Sequence, residues 1–442
     1  MSSSSINQQG EVAWKYWQLL LFKIVFLFLL LLTIPFNASY YLNLLGFSFH
    51  FQDFFQLTYH KPGLVHLSNW GLKSFAGWFV ALVVAIAGAV LWQKFDKRTA
   101  HQDLYYWSRV VLRYRLALGI IAYGILLLIP VQIPALSISD LHTPYGDFLP
   151  WKIYYHSTAV ASAGYKQTIG AIEIIGGFLL LYRPSVLFGA ITTAFVLVNI
   201  VLANFAYQLG DHLYSTYLLL IAFVLLAHDV PRLYKLLVLR KKVIAEQFRP
   251  FASVKFLKWR NLSRAAFLLF TLTLFSLTLS SYLADSWPYP NTPGLNGAAG
   301  FYNVDTFRYN DSTHQYSLTD TVRWRDVVFE KWNVLSVRKN KLATIDFSLP
   351  EVKYRNDAAR NYQSAGNGAR SFYTYRENDG KIFLTNNNDK ADTISFSVSR
   401  PDTASIHLGG VDAQGNRLQV VLGRVNKNYL LDKGRRNPVV IN

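Results

Sequence analysis

Long apolar runs crowd residues 17 to 284, while polar, turn-rich sequence lies almost wholly after residue 285. A run near 20 residues spans the roughly 30 Å of hydrocarbon in a bilayer as a helix. Seven such runs are read at residues 17–36, 74–93, 116–134, 167–182, 185–204, 213–228 and 265–284. The chain is therefore expected to be a polytopic α-helical membrane protein with a C-terminal all-β, sandwich-like domain. The overall 52% hydrophobic and 16% charged composition averages over these two solvents.

Orientation follows from basic residues, which collect on the cytoplasmic side of spanning segments. Lys94, Lys97, Arg98, Arg109, Arg113 and Arg115 lie between the second and third runs. Arg232, Lys235, Arg240, Lys241, Lys242, Arg249, Lys255, Lys258, Arg260 and Arg264 lie between the sixth and seventh. The intervening loops carry little more than Lys61, Lys73, Lys152 and Lys166. This pattern predicts a plasma (inner) membrane protein with a cytoplasmic N-terminus and an extracytoplasmic C-terminal domain, periplasmic in a bacterium. The net charge of +18 accordingly points to anionic headgroups beside the basic loops rather than to nucleic acid. Lys23, inside the first run, is expected to snorkel to the headgroups, and Pro231 to end the sixth helix.

After Asp285 a proline-rich linker gives way to short alternating runs, among them 322–329, 343–348, 381–385, 393–398, 405–408 and 418–422. Punctuated by Asn, Asp and Gly, these read as strands. The divisions expected are 1–104, a two-helix membrane segment; 105–236, a four-helix membrane domain; 237–284, a basic loop and the last spanning helix; 285–300, a linker; and 301–442, the β-rich domain.

The chain has no cysteine, so it has neither disulfides nor thiolate chemistry of its own. Phosphate-binding loops, GxSxG, HExxH and zinc-ligand spacings are absent, and no metal site is expected. Chemistry is therefore sought in the membrane region, where a carboxylate costs about 3 kcal/mol even on lenient insertion scales. Glu173 is such a residue, and Gly170 and Gly177 share its helical face. That small-residue face admits either a neighbouring helix or a flat ligand. Tyr123, Asn199 and Tyr217 are the candidate partners, so a ligand site would comprise Gly170, Glu173, Gly177, Asn199 and Tyr123. The two readings of Glu173 are a structural clamp and a proton relay or quinone contact. At the outer face, Asp147, Lys152, Asn204, Tyr207 and Asp211 could together form a polar mouth, with interfacial packing as the plainer alternative. Glu173 and Lys152 are the catalytic candidates.

The run from about Tyr105 to Leu236 resembles the DoxX-like family of four-helix inner-membrane proteins. The likeness rests on Gly170-Ala-Ile-Glu-Ile-Ile-Gly-Gly-Phe-Leu-Leu-Leu-Tyr-Arg183, Asn199, Asn204-Phe-Ala-Tyr207, Tyr214-Ser-Thr-Tyr-Leu-Leu-Leu and Leu226-Ala-His-Asp-Val-Pro-Arg-Leu233. The resemblance implies a membrane subunit linked to quinone oxidation or redox stress, with a quinone as the possible cofactor and a redox or envelope protein as partner. The alternative is a non-enzymatic anchor that presents the β domain to a cell-envelope component. A third reading, a carboxylase-like or transport activity using Lys152, rests on analogy with vitamin K-dependent carboxylases, whose helices are also followed by a lumenal β-rich region.

Overall fold

A computed structural model describes residues 14–68, 70–160, 163–242, 254–284, 288–349 and 361–433. The centre of the basic stretch, with Arg249, and the start of the linker lie outside the described residues. The chain divides into two units, residues 1–129 with 164–281 and residues 130–163 with 282–442. It thus passes between units three times, and residues 130–163, expected within the membrane domain, belong to the β-rich unit.

The first unit holds α1 (Tyr16–Thr33), α2 (Ala38–Leu45), α3 (Phe51–Thr58), α4 (Ala76–Phe95) and α5 (Gln102–Leu128). After the segment assigned to the second unit, which carries α6 (Ile138–Leu141) and α7 (Pro150–Ala159), come α8 (Ala163–Leu179), α9 (Val186–Tyr207), α10 (His212–Leu233) and α11 (Val254–Ala284). Six of these helices are long and apolar enough to cross a membrane, namely α1, α4, α5, α9, α10 and α11 with their short flanking turns. The fold is that of a multi-pass membrane protein. The fourth expected run corresponds to α8, at 17 residues the shortest of the helices that match the seven runs.

Helix α4 buries Gly77, Ala81, Ala85 and Ala89, one residue per turn. This stripe lets α1 approach closely, the usual basis of helix association where lipid removes the hydrophobic drive. Lys23 of α1 is fully buried, donating to Gln93 Oε1 at 2.8 Å and pairing with Asp96 at 3.1 Å. The snorkelling expectation fails because these partners at the end of α4 satisfy the ammonium inside the protein. Pro231 does not end α10 either: the helix runs on to Leu233 and a π turn at Tyr234–Val238. A π turn shifts the hydrogen-bond register by one residue. Arg109, Arg113 and Arg115, expected in a loop, fall within α5, and Arg115 lies at its midpoint.

The second unit contains β1 (Gly300–Tyr309), β2 (Ser312–Thr313), β3 (Trp324–Phe329), β4 (Val334–Lys339), β5 (Arg370–Asn378), β6 (Lys381–Asn386), β7 (Thr393–Ser399), β8 (Ser405–Asp412) and β9 (Arg417–Arg424), then a short α12 (Leu430–Lys433). Each main strand pairs antiparallel with its sequence neighbour, and β1 also pairs with β9. Eight strands thus close into an up-and-down barrel, with β2 attached to β1. The sequence suggested a sandwich, but closure removes both sheet edges. Residues 343–348, expected as a strand, contribute only an isolated bridge from Asp346 to Ala365.

Alternation fills the barrel. Leu418, Val420 and Leu422 of β9 point inward, as do Ile382 and Leu384 of β6. Trp324 meets Phe307 and Phe396 with ring centroids 5.9 Å apart in each case. Each such side chain, fully buried, contributes about 1.5–3 kcal/mol, and an eight-stranded barrel has just the interior these chains occupy. On β3, β4 and β5 the outer face is buried as well. That second buried face positions the polar centre described next.

Candidate functional site

The polar centre of the barrel unit is built on α6 and α7. Ser137 caps α6: its Oγ accepts from Asp140 N at 3.1 Å, and Asp140 Oδ2 accepts from Ser137 N at 3.1 Å. Glu330, at the end of β3, accepts from Ser139 N at 2.8 Å and Ser139 Oγ at 2.7 Å. Gln363 also donates to Glu330. Burial raises the Glu330 carboxyl above the usual carboxylate range, and the Ser139 bonds oppose that rise.

Pro150 starts α7, where a missing N–H is harmless, and places Lys152 and His156 one turn apart on the same helix. Lys152 is wholly buried and donates to the carbonyls of Tyr362, Gln363 and Ala365 at 3.0, 2.6 and 2.9 Å. Asp140 Oδ1 lies 3.5 Å from both Lys152 Nζ and His156 Nε2. Burial lowers the Lys152 pKa while Asp140 opposes the shift. Burial likewise pushes His156 down to about 4, again against Asp140. An ammonium has three hydrogens, and all three are directed at main-chain oxygens. Lys152 is therefore a clamp on the 362–365 loop, with no hydrogen or lone pair free for base chemistry.

Neighbouring contacts extend the clamp. Arg370 pairs with Asp326 at 2.7 Å and donates to Ser336 Oγ at 2.8 Å and His142 O at 3.2 Å. Tyr289 stacks on Trp332 at 4.2 Å and donates to Ala135 O at 2.6 Å. Residues 130–163 are thus bound into the barrel unit by buried polar bonds and by aromatic packing.

In the helical unit the glycine face of α8 lies against α5. A Cβ on Gly170 would stand 2.6 Å from Gly124 O, and one on Gly177 would stand 2.4 Å from the Ile121 side chain. The helices meet too closely for a flat ligand between them. Glu173 is 1% exposed, and neither carboxyl oxygen has a hydrogen-bond partner among the described residues. Tyr123 is turned elsewhere, donating to Asp211 Oδ2 at 2.9 Å, and Asn199 is exposed. Tyr217 contacts Thr33 Oγ1 at 2.8 Å. The five residues expected to form one ligand site are thus not brought together around Glu173.

A different network, which the sequence reading missed, forms at the end of α3. Arg115 donates to Thr58 O at 2.6 Å and to His60 Nδ1 at 3.0 Å. Tyr214 donates to the same Thr58 carbonyl. His60 Nε2 lies 2.8 Å from Leu32 O, and since a carbonyl can only accept, this nitrogen carries the proton. The Arg115 guanidinium also lies 5.3 Å from the Tyr214 ring centre and 5.6 Å from that of Tyr217. A cation beside a helix C-terminus satisfies orphan carbonyls and complements the helix dipole. Tyr59 adds a bond to Asp211 Oδ1 at 3.1 Å, and Asp211 N donates to Asn204 Oδ1 at 3.0 Å. The usable signal was Asp53 in the first turn of α3, where it accepts from His50 N, together with Phe51, Phe55 and Thr58 on one buried face.

Of the expected polar mouth, Asp147 and Lys152 belong to the barrel unit, while Asn204, Tyr207 and Asp211 belong to the helical unit. Asp147 uses its carbonyl to accept from Gly368 N at 2.8 Å. No family model, curated protein or solved structure matches the chain.

Proposed function

We propose that the protein is a seven-span plasma-membrane anchor, and that its barrel unit faces the extracytoplasmic side to engage a cell-envelope partner. The supporting observation is one of parity. Residues 130–163 and 282–442 form one compact unit, so an even number of crossings must separate them. The intervening helices are α8, α9, α10 and α11, which makes α8 a span despite its length. With α1, α4 and α5 preceding them, the basic residues at 97–98 and 232–242 then fall on the cytoplasmic side, in keeping with the positive-inside rule.

Because the chain has no cysteine, single-cysteine variants report topology without background. Tyr145 is 71% exposed and Leu318 is 70% exposed. Y145C and L318C should both react with a membrane-impermeant maleimide on intact cells, and K97C only after lysis. Labelling of Y145C and L318C from opposite sides would refute the topology. For the partner, a photocrosslinking residue at Leu318 or Phe347 of the full chain should give a discrete adduct in cells; its absence at both positions counts against the anchor reading.

The buried Glu173, without a hydrogen-bond partner among the described residues, favours a second reading, the DoxX-like, quinone-linked redox subunit. A flat headgroup would have to part α5 from α8 to reach it. Co-purification of a quinone that E173Q abolishes would replace the anchor reading. The carboxylase-like reading is disfavoured by the saturation of Lys152.

A further inference from the structure

One end of the barrel holds a polar cavity of about 340 Å³, at the lower end of the range for small-molecule sites. Its lining comes from β4 and β5, the 341–344 and 386–392 segments, and Gln414. The inward pattern explains why it is polar. Leu335 and Val337 of β4 belong to the barrel core, and side chains two residues apart share a face, so Lys339 continues that inward column at the rim. Where a hydrophobe would complete the core, the sequence supplies an amine.

The acidic wall is fixed. Asp392 Oδ2 accepts from Tyr373 OH at 2.7 Å and from Asn386 Nδ2 at 2.8 Å. Tyr373 and Asn386 are themselves buried. Asp389 Oδ1 accepts from Ala391 N at 3.1 Å. The basic wall is uncommitted: neither Lys339 nor Lys341 has an ion pair or a hydrogen bond among the described residues. Burial lowers the Lys339 pKa, and the nearby Lys341 lowers it further, against the fields of Asp392 and Asp412. Two neighbouring cations, one largely withdrawn from water, form a site that gains when an anion arrives. Ser371, Gln414 and the remaining carboxylate oxygens offer acceptors and donors for hydroxyl groups.

We propose that this barrel end binds a small hydroxylated anion of monosaccharide size, with its carboxylate or phosphate at Lys339 and Lys341 and its hydroxyls toward Asp389, Asp392 and Gln414. A charged headgroup and a ring of hydroxyls are the chemistry of acidic saccharides and sugar phosphates. The proposal is independent of the anchor reading, since it rests on the barrel alone.

The test is calorimetric titration of the full chain in detergent with glucuronate, glucose 6-phosphate and, as the uncharged control, glucose. Saturable binding of either anion, at least tenfold tighter than glucose, is expected; which anion binds tighter tells carboxylate from phosphate. K339M should weaken that binding at least tenfold. K341Q, on a side chain outside the core, should weaken it at least threefold and decides the matter if K339M does not fold. Overturning results are no saturable binding of either anion, glucose binding as tightly, or anion binding that K341Q and a folded K339M leave unchanged.

Discussion

Replacing Lys152 with methionine isolates the clamp that binds residues 130–163 into the barrel unit. Methionine keeps the length of the stem but strands the carbonyls of Tyr362, Gln363 and Ala365, which now receive hydrogen bonds at 2.6–3.0 Å. It also leaves Asp140, whose side chain is fully buried, without its cation at 3.5 Å. Removing one partner of a buried charge pair costs about 3–5 kcal/mol. A loss of about 4 kcal/mol of local stability is a roughly thousandfold increase in the open population. Hydrogen exchange on the full chain in detergent, read by mass spectrometry on a peptide covering 361–370, should quicken by about that factor. The double variant K152M/D140N should recover roughly tenfold or more, since it no longer buries an unpaired carboxylate. Exchange of K152M within threefold of the parent would refute the clamp. No recovery in the double variant would refute the role given to Asp140.

His156 supplies a pH dependence. Its folded pKa is about 4 against about 6.5 unfolded, so only the unfolded chain gains the proton between these values. The barrel unit should lose stability as pH falls from about 6.5 to 4, by up to about 3 kcal/mol, and no more from this group below 4. H156Q should flatten that slope in the thermal midpoint read by near-UV circular dichroism; equal slopes would exclude His156 as the source. G170A should destabilise the helical unit by about 1–3 kcal/mol, because its Cβ meets backbone at 2.6 and 2.7 Å. G164A, with nothing within 4 Å, should leave the detergent melting temperature unchanged or raise it slightly. R115K should cost about 2 kcal/mol, because a lysine has no planar fork to serve Thr58 and His60 together; an unchanged melting temperature would show that the fork is not what holds α3.

Hydropathy revealed the long helices because lipid demands an almost uninterrupted apolar surface. Their ends were less legible: α5 begins 14 residues before the expected run, since its first turns carry arginines that bond within the protein. Arg113, for example, donates to Leu180 O at 2.9 Å. Strands with one buried face, such as β6 and β9, announced themselves by alternation. On β5, Arg370, Phe372, Tyr373 and Tyr375 are all buried, which erases the period of two, and β1 carries a bulge between Val304 and Thr306. Glu173 was found because a carboxylate inside an apolar run is conspicuous. The Arg115 network was not, because its pieces come from α3, α5 and α10 and each looks ordinary alone. Lys339 was hidden in the same way, as one more charge near a strand end.

The clamp also sets an order of events in time. Lys152 emerges from the ribosome about 210 residues before Tyr362, Gln363 and Ala365, the groups that receive its hydrogens. At about 5–20 residues per second, that delay is roughly 10 to 40 s. Through it, Lys152 has Asp140 beside it but must be accommodated without its three carbonyl partners while four further helices are made. The barrel cannot close before β9 arrives to meet β1. A nascent chain stalled short of β9 would therefore carry its long apolar helices complete and its barrel unit open, with Trp324 and Phe396 in reach of water and of chaperones.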